Sequence, residues 1–232
     1  MEIKMDRATE QKTTEMPEKL LSWLIDSRLG FLSKLTEGKP HGFFSAHLPV
    51  LATWSDEASY PVNMAVKGIG LLPRKDKLKH YTDIFEASIA ASRSMPWDES
   101  LPERIEAIRM LYGNPDELDP TLIGGLEIFE GKTLENMKSN PHASLLYMGM
   151  SHGAREMKYI SFQVNGTVEL LDKESPYYKY LLASRKLFEF ERFHLYQPDY
   201  PFGYIIHVED AMDKSPFTKS NGHSHRMMRD KG

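Results

Sequence analysis

Hydrophobic and polar positions recur along this chain with two different periods, and the changes of period mark out its elements. Over residues 17–29, Leu20, Leu21, Leu24 and Ile25 fall at helical spacing, and Gly30 is placed to end that helix. Phe31, Ser33 and Leu35 then alternate with Leu32 and Lys34. Thr36 to Pro40 carries turn chemistry and residues 41–53 are rich in strand formers, so this stretch predicts a pair of strands. Pro49 inside the second run indicates an edge or a bulge. Residues 54–120 change character. A short strand at 62–66 precedes two amphipathic helices. One carries Leu78, Tyr81, Phe85, Ile89 and Ser92 on a face; the other begins near Pro102, carries Ile105, Ile108 and Tyr112, and closes at Gly113.

The second half is more regular. Residues 122–129 predict a strand, 132–139 a short helix stopped by Asn140-Pro141, and 142–150 another strand. In the long strand at 157–171, Tyr159, Ser161 and Gln163 alternate with Ile160, Phe162 and Val164, and Asn165-Gly166 predicts a bend or bulge within it. A helix follows with Ser175 as N-cap and Pro176 at its first position, then a final strand at 202–208. The last residues, 210–232, are polar and predict a flexible tail. No repeat and no Gly/Ser linker divides the 232 residues, which read as one domain.

Composition excludes several classes. The net charge of −4 gives no support to a nucleic-acid or anionic-membrane surface. Absence of cysteine excludes disulfides, thiolate metal sites and a cysteine nucleophile, and fits a cytoplasmic setting. No apolar run approaches the ~20 residues of a membrane helix, and the polar first residues lack the apolar centre of a signal peptide. No Gly-x-Ser-x-Gly elbow is present. Gly68-Ile69-Gly70 lacks the third glycine of a dinucleotide turn. His223 and His225 have no third ligand at metal spacing and read as part of the solvated tail. Met148 and Met150 read as core positions. His41, His47 and His152, taken singly, read as structural or surface residues.

One segment carries candidate chemistry. At 131–148, GKTLENMKSNPHASLLYM, Lys132 supplies a positive charge and Thr133 a hydroxyl at a helix start whose first N–H groups have no partner within the helix, a suitable place for a phosphate. This segment, GFLSKLTEGKPHGFFSAHLPVL at 30–51 and YISFQVNGTVELLDKES at 159–175 occur in an order that resembles the FMN-binding split β-barrel, the pyridoxamine 5′-phosphate oxidase-like family. With the closing helix and strand the likeness spans about 110 residues. The resemblance implies an α+β, mainly β fold: a split barrel of about six antiparallel strands with flanking helices, and residues 54–120 as a helical insertion between the second and third strands. It also implies FMN, with Lys132 and Thr133 on the phosphate and Asn136 one turn along the same helix. Ser161 and Gln163 would reach the ribityl chain or ring edge, and His47 and Ser45, on the second strand, would line the ring pocket. Where the family often has two adjacent basic residues, this chain has Gly131 and Lys132, so Lys158 or Arg155 from the next strand would have to supply the second charge. The resemblance further implies a homodimer with the cofactor at the interface, and an oxidoreductase acting on a small molecule. Its alternative is a non-catalytic flavin- or haem-binding protein for sensing or storage. The Arg-rich ending that grips pyridoxamine phosphate in true oxidases of that name is absent, so that substrate is not assigned.

Overall fold

A computed structural model describes residues 13–39, 45–56, 59–152, 157–188 and 199–216. Helix α1 (Glu18–Thr36) runs straight through Gly30, so the strand expected at Phe31, Ser33 and Leu35 is its last turns. The correction has a local cause. Leu20, Leu24, Arg28 and Leu32 form a buried stripe at four-residue spacing, whereas a Cβ at Gly30 would meet nothing, so that glycine is no obstacle. The helix ends at Thr36, and Gly38 just past the cap Glu37 takes a φ of 63°, which suits a residue without a side chain.

The remaining elements are β1 (Val50–Trp54), β2 (Val62–Val66), β3 (Ile69–Pro73), α2 (Leu78–Ala91), α3 (Trp97–Tyr112), β4 (Leu118–Glu127), α4 (Lys132–Ser139), β5 (His142–His152), β6 (Met157–Leu171), α5 (Pro176–Lys186) and β7 (Phe202–Asp213). All strand pairings are antiparallel, in the order β2-β1-β5-β6-β7-β4-β3. The two ends of that order are consecutive in the chain, joined by Lys67 and Gly68. The Lys67 N–H donates to the Pro49 carbonyl at 3.2 Å and the Ile69 N–H to the His47 carbonyl at 2.9 Å, which extends the β1 ladder past β2. β2 and β3 therefore act as one bent ribbon that pairs with β1 and then with β4, and the sheet closes on itself. The sheet therefore has seven strands where the sequence predicts about six, because residues 62–73 bend into two, β2 and β3. Residues 54–120 are not wholly helical, however, because they contribute both β2 and β3 to the wall.

Closure requires close backbone approach. A Cβ at Gly125 in β4 would lie 2.6 Å from the Gly68 carbonyl, so only glycine fits the seam. In β6 the register shifts between Asn165 and Gly166, at the expected bulge. Inside the barrel lie Leu51, Leu145, Tyr147, Phe162, Val164 and Ile206. α1 packs at one end, where Trp23 meets Tyr147 edge-on, α4 lies near Thr53 at the other, and α5 covers β4 and β7. β7 continues to Asp213, so residues 210–213 are strand rather than tail, and residues 217–232, including His223 and His225, lie outside the described residues. No helix among the described residues is long and apolar enough to cross a membrane.

Candidate functional site

The amino end of α4 is built by a tight turn after β4. Gly131 takes the N-cap position in extended backbone, and no side chain caps the helix. The N–H groups of Lys132, Thr133 and Leu134 therefore have no partner within the helix. The Lys132 ammonium lies 3.2 Å from the Glu135 carboxylate, and both side chains are half-exposed or more. On the inner side of the helix Thr133 and Asn136, three residues apart, face the barrel wall and are buried. Asn63 of β2 donates to the Thr133 hydroxyl at 3.1 Å, and the Asn136 amide donates to the Thr53 hydroxyl at 3.3 Å. Thr53 and Asn63 are themselves direct cross-strand partners. The four side chains thus form one polar cluster beneath the helix start. The Asn136 carbonyl oxygen in this cluster is buried, the residue being 1% exposed, and has no donor. Among the described residues nothing donates to it, and a buried acceptor without a donor is costly.

At the bend between β2 and β3 Lys67 places its ammonium 2.6 and 2.8 Å from the two oxygens of Glu127, which is 2% exposed. That lysine is committed to neutralising a buried carboxylate.

Ser161 and Gln163 stand elsewhere. Register places Gln163 beside Leu146 and Leu146 beside Val50, on the face of the sheet opposite Thr53 and α4. The Gln163 amide donates to the Asn165 side-chain oxygen at 2.9 Å, which also accepts from Ser144 at 2.6 Å. The backbone of Ser161 is bonded by Lys214 and Ser215. Around them the outer face is apolar and open: Val62, Met64, Val66, Met148, Met150 and Tyr159 are all exposed, Met64 at 70% and Tyr159 at 65%. Met148 and Met150 are therefore not core residues. Their parity along β5 is that of Leu146, not of Leu145 and Tyr147.

His47 and Ser45 precede β1 in a turn and are not in a strand. They lie near α1 and the carboxyl end of β5: Ser45 Oγ is 3.0 Å from where a Cβ of Gly149 would stand, and His47 lies beside Gly68. His47 lies in the turn before the start of β1, whereas Thr53 is near the end of that strand, so the structure does not bring this pair to α4. Loss of solvation, and then the Arg28 charge, lower the His47 pKa to about 3. The imidazole is neutral. Beside it Leu24, Arg28, Gly70, Tyr112 and Tyr147 line a cavity of about 10 Å³, the room of one water. The side chains of Lys158 and Arg155 lie outside the described residues. Among the described residues no group of three or more His, Asp and Glu could hold a metal ion.

Sequence reasoning missed Thr53 and Asn63. A signal for Asn63 existed: in β2 the alternation is inverted, with Val62, Met64 and Val66 outward and Asn63 and Lys67 inward. Such inversion marks a strand whose inner side meets a polar mouth and whose outer side is apolar.

No protein-family model and no curated protein matches the chain. Among solved structures it is similar to HupZ of Group A Streptococcus, at 14% identity over 87% of this chain and 96% of that one, with a TM-score of 0.45. It is similar to a pyridoxamine 5′-phosphate oxidase homologue from Listeria innocua at 13% identity, over 82% and 98% of the two chains, with a TM-score of 0.39. It is also similar to HutZ, the haem storage protein of Vibrio cholerae, at 7% identity, over 84% and 93%, with a TM-score of 0.42.

Proposed function

We propose that the chain is a split-barrel flavoprotein that binds FMN by its phosphate at the amino end of α4 and works as a dimeric oxidoreductase on a small molecule. One observation carries the reading. The uncapped start of α4, with Lys132 and the Thr133 hydroxyl, stands over a buried Asn136 oxygen that has no donor. Phosphate oxygens accept from N–H, ammonium and hydroxyl donors, which the first turn offers. A polyol chain attached to that phosphate carries hydroxyls, the donors that Asn136 lacks. The donor set therefore fits a phosphorylated, hydroxylated ligand such as FMN. When bound, that group supplies a ring able to take up and return a hydride.

The part of this chain is to bind and orient. Lys132, Thr133 and the helix N–H groups fix the phosphate, and Asn136 the chain next to it. Ser161 and Gln163 lie across the sheet from α4, so they serve a flavin whose phosphate is held by a second copy, docked on the open apolar face. Haem gains no support from His47, since the adjoining cavity has the room of one water.

FMN and riboflavin titrated into wild type and Lys132→Ala test the reading. Loss of one half-exposed ion contact predicts FMN binding weaker by about fivefold in the variant, with riboflavin unchanged. Equal FMN affinity in the two proteins would remove the phosphate assignment. Anaerobic addition of NAD(P)H, bleaching the flavin band, distinguishes an enzyme from a binder.

A further inference from the structure

We propose that Glu135 sets how strongly this site prefers a phosphorylated ligand, because it competes with the phosphate for Lys132; the inference rests on the FMN reading above. Lys132 and Glu135 occupy the first and fourth positions of α4, on one side of its first turn, with ammonium and carboxylate 3.2 Å apart. Neighbouring cations are committed elsewhere. Lys67 is clasped by Glu127, and the Lys138 ammonium lies 4.8 Å from the centre of the Phe202 ring, toward the far end of the helix. Before any ligand arrives Lys132 is thus paired with Glu135, and exposed Glu130 stands just before the N-cap, so the N–H groups and the helix dipole are left to attract an anion.

An incoming phosphate has to draw Lys132 off Glu135 and then sit near the released carboxylate. Both costs fall on a phosphate ester and neither on its unphosphorylated counterpart. Meanwhile Glu135 offsets the positive end of a helix that has no side-chain cap, a stabilising place for an acid. One residue thus steadies the empty site and restrains its affinity when filled. The Asn136 oxygen on the inner face of the same helix, buried and without a donor among the described residues, is a polar feature of this end that does not depend on the charges.

The test is calorimetric titration of FMN and of riboflavin into wild type, Glu135→Gln, Lys132→Ala and the double variant, with thermal melting of each. Glu135→Gln is expected to bind FMN about two- to fivefold more tightly while riboflavin affinity stays the same. The gain is expected to shrink in the Lys132→Ala background, since competition needs both partners. Suppose wild type prefers FMN and Lys132→Ala loses that preference, but Glu135→Gln matches wild type. Then Glu135 has no such role and the phosphate site stands. An equal gain with and without Lys132 overturns the competition. If wild type and Glu135→Gln alike fail to distinguish FMN from riboflavin, the phosphate site itself falls. Should Glu135→Gln melt too early for titration, Glu135→Ser takes its place with the same outcomes.

Discussion

His47 shows how far a single side chain is governed by its surroundings. Burial, and secondarily the Arg28 charge, hold its imidazole neutral down to about pH 3, while in the unfolded chain it titrates near 6.5. Above pH 6.5 neither state carries the proton. As pH falls from 6.5 toward 3, the unfolded chain takes up a proton that the folded one refuses, so stability is lost across that window. Denaturant midpoints measured from pH 7 to pH 4 are expected to fall less steeply for His47→Gln than for wild type. Equal slopes would show that this imidazole is not the group responsible. The residues of the candidate site differ in how visible they were. Lys132, Thr133 and Asn136 share one short helix, so local spacing groups them. Thr53 and Asn63 join them only through bonds spanning 83 and 70 residues, which no local pattern records.

Among elements, those with unambiguous periodicity and good end signals were readable: α2, α4, β5, β6 with its bulge, and α5. α1 was cut short because Gly30 resembles a helix stop and the next residues happen to alternate, but packing of Leu32 prolonged the helix. β3 went unseen since Ile69-Gly-Leu-Leu-Pro73 has two features, a glycine and a terminal proline, that weaken a strand taken alone; pairing with β4 overrides them. α3 starts five residues before Pro102, at Trp97 after the N-cap Pro96. The bent ribbon of β2 and β3 closes the barrel, and Lys67–Glu127 spans its bend. Glu127→Ala leaves a largely buried ammonium without its carboxylate, and is expected to cost about 3 kcal/mol in urea unfolding. Replacing the pair together, Lys67→Met with Glu127→Leu, is expected to recover most of that loss. A double variant as unstable as Glu127→Ala would mean that the seam depends on the charges themselves.

At the scale of the whole molecule, one side of the barrel is covered by α5 while the β2-β1-β5-β6 side presents exposed Val62, Met64, Val66, Met148, Met150 and Tyr159. Exposed apolar faces of this kind are where contacts with other chains or with membranes are commonly made. Under the dimer reading, Met148→Lys, on β5 within that face, places a charge among its apolar side chains and is expected to turn a sedimenting dimer into a monomer with weakened FMN binding. A variant that stays dimeric would place the interface elsewhere. The central claim, a phosphate-held flavin, is tested most directly by competitive capture. The protein is incubated with equimolar FMN, riboflavin and haem, freed of unbound ligand by gel filtration and denatured, and the released molecule is identified by mass spectrometry. FMN at one per chain is the expected result; release of haem, of riboflavin in equal amount, or of nothing would contradict a phosphate-held flavin.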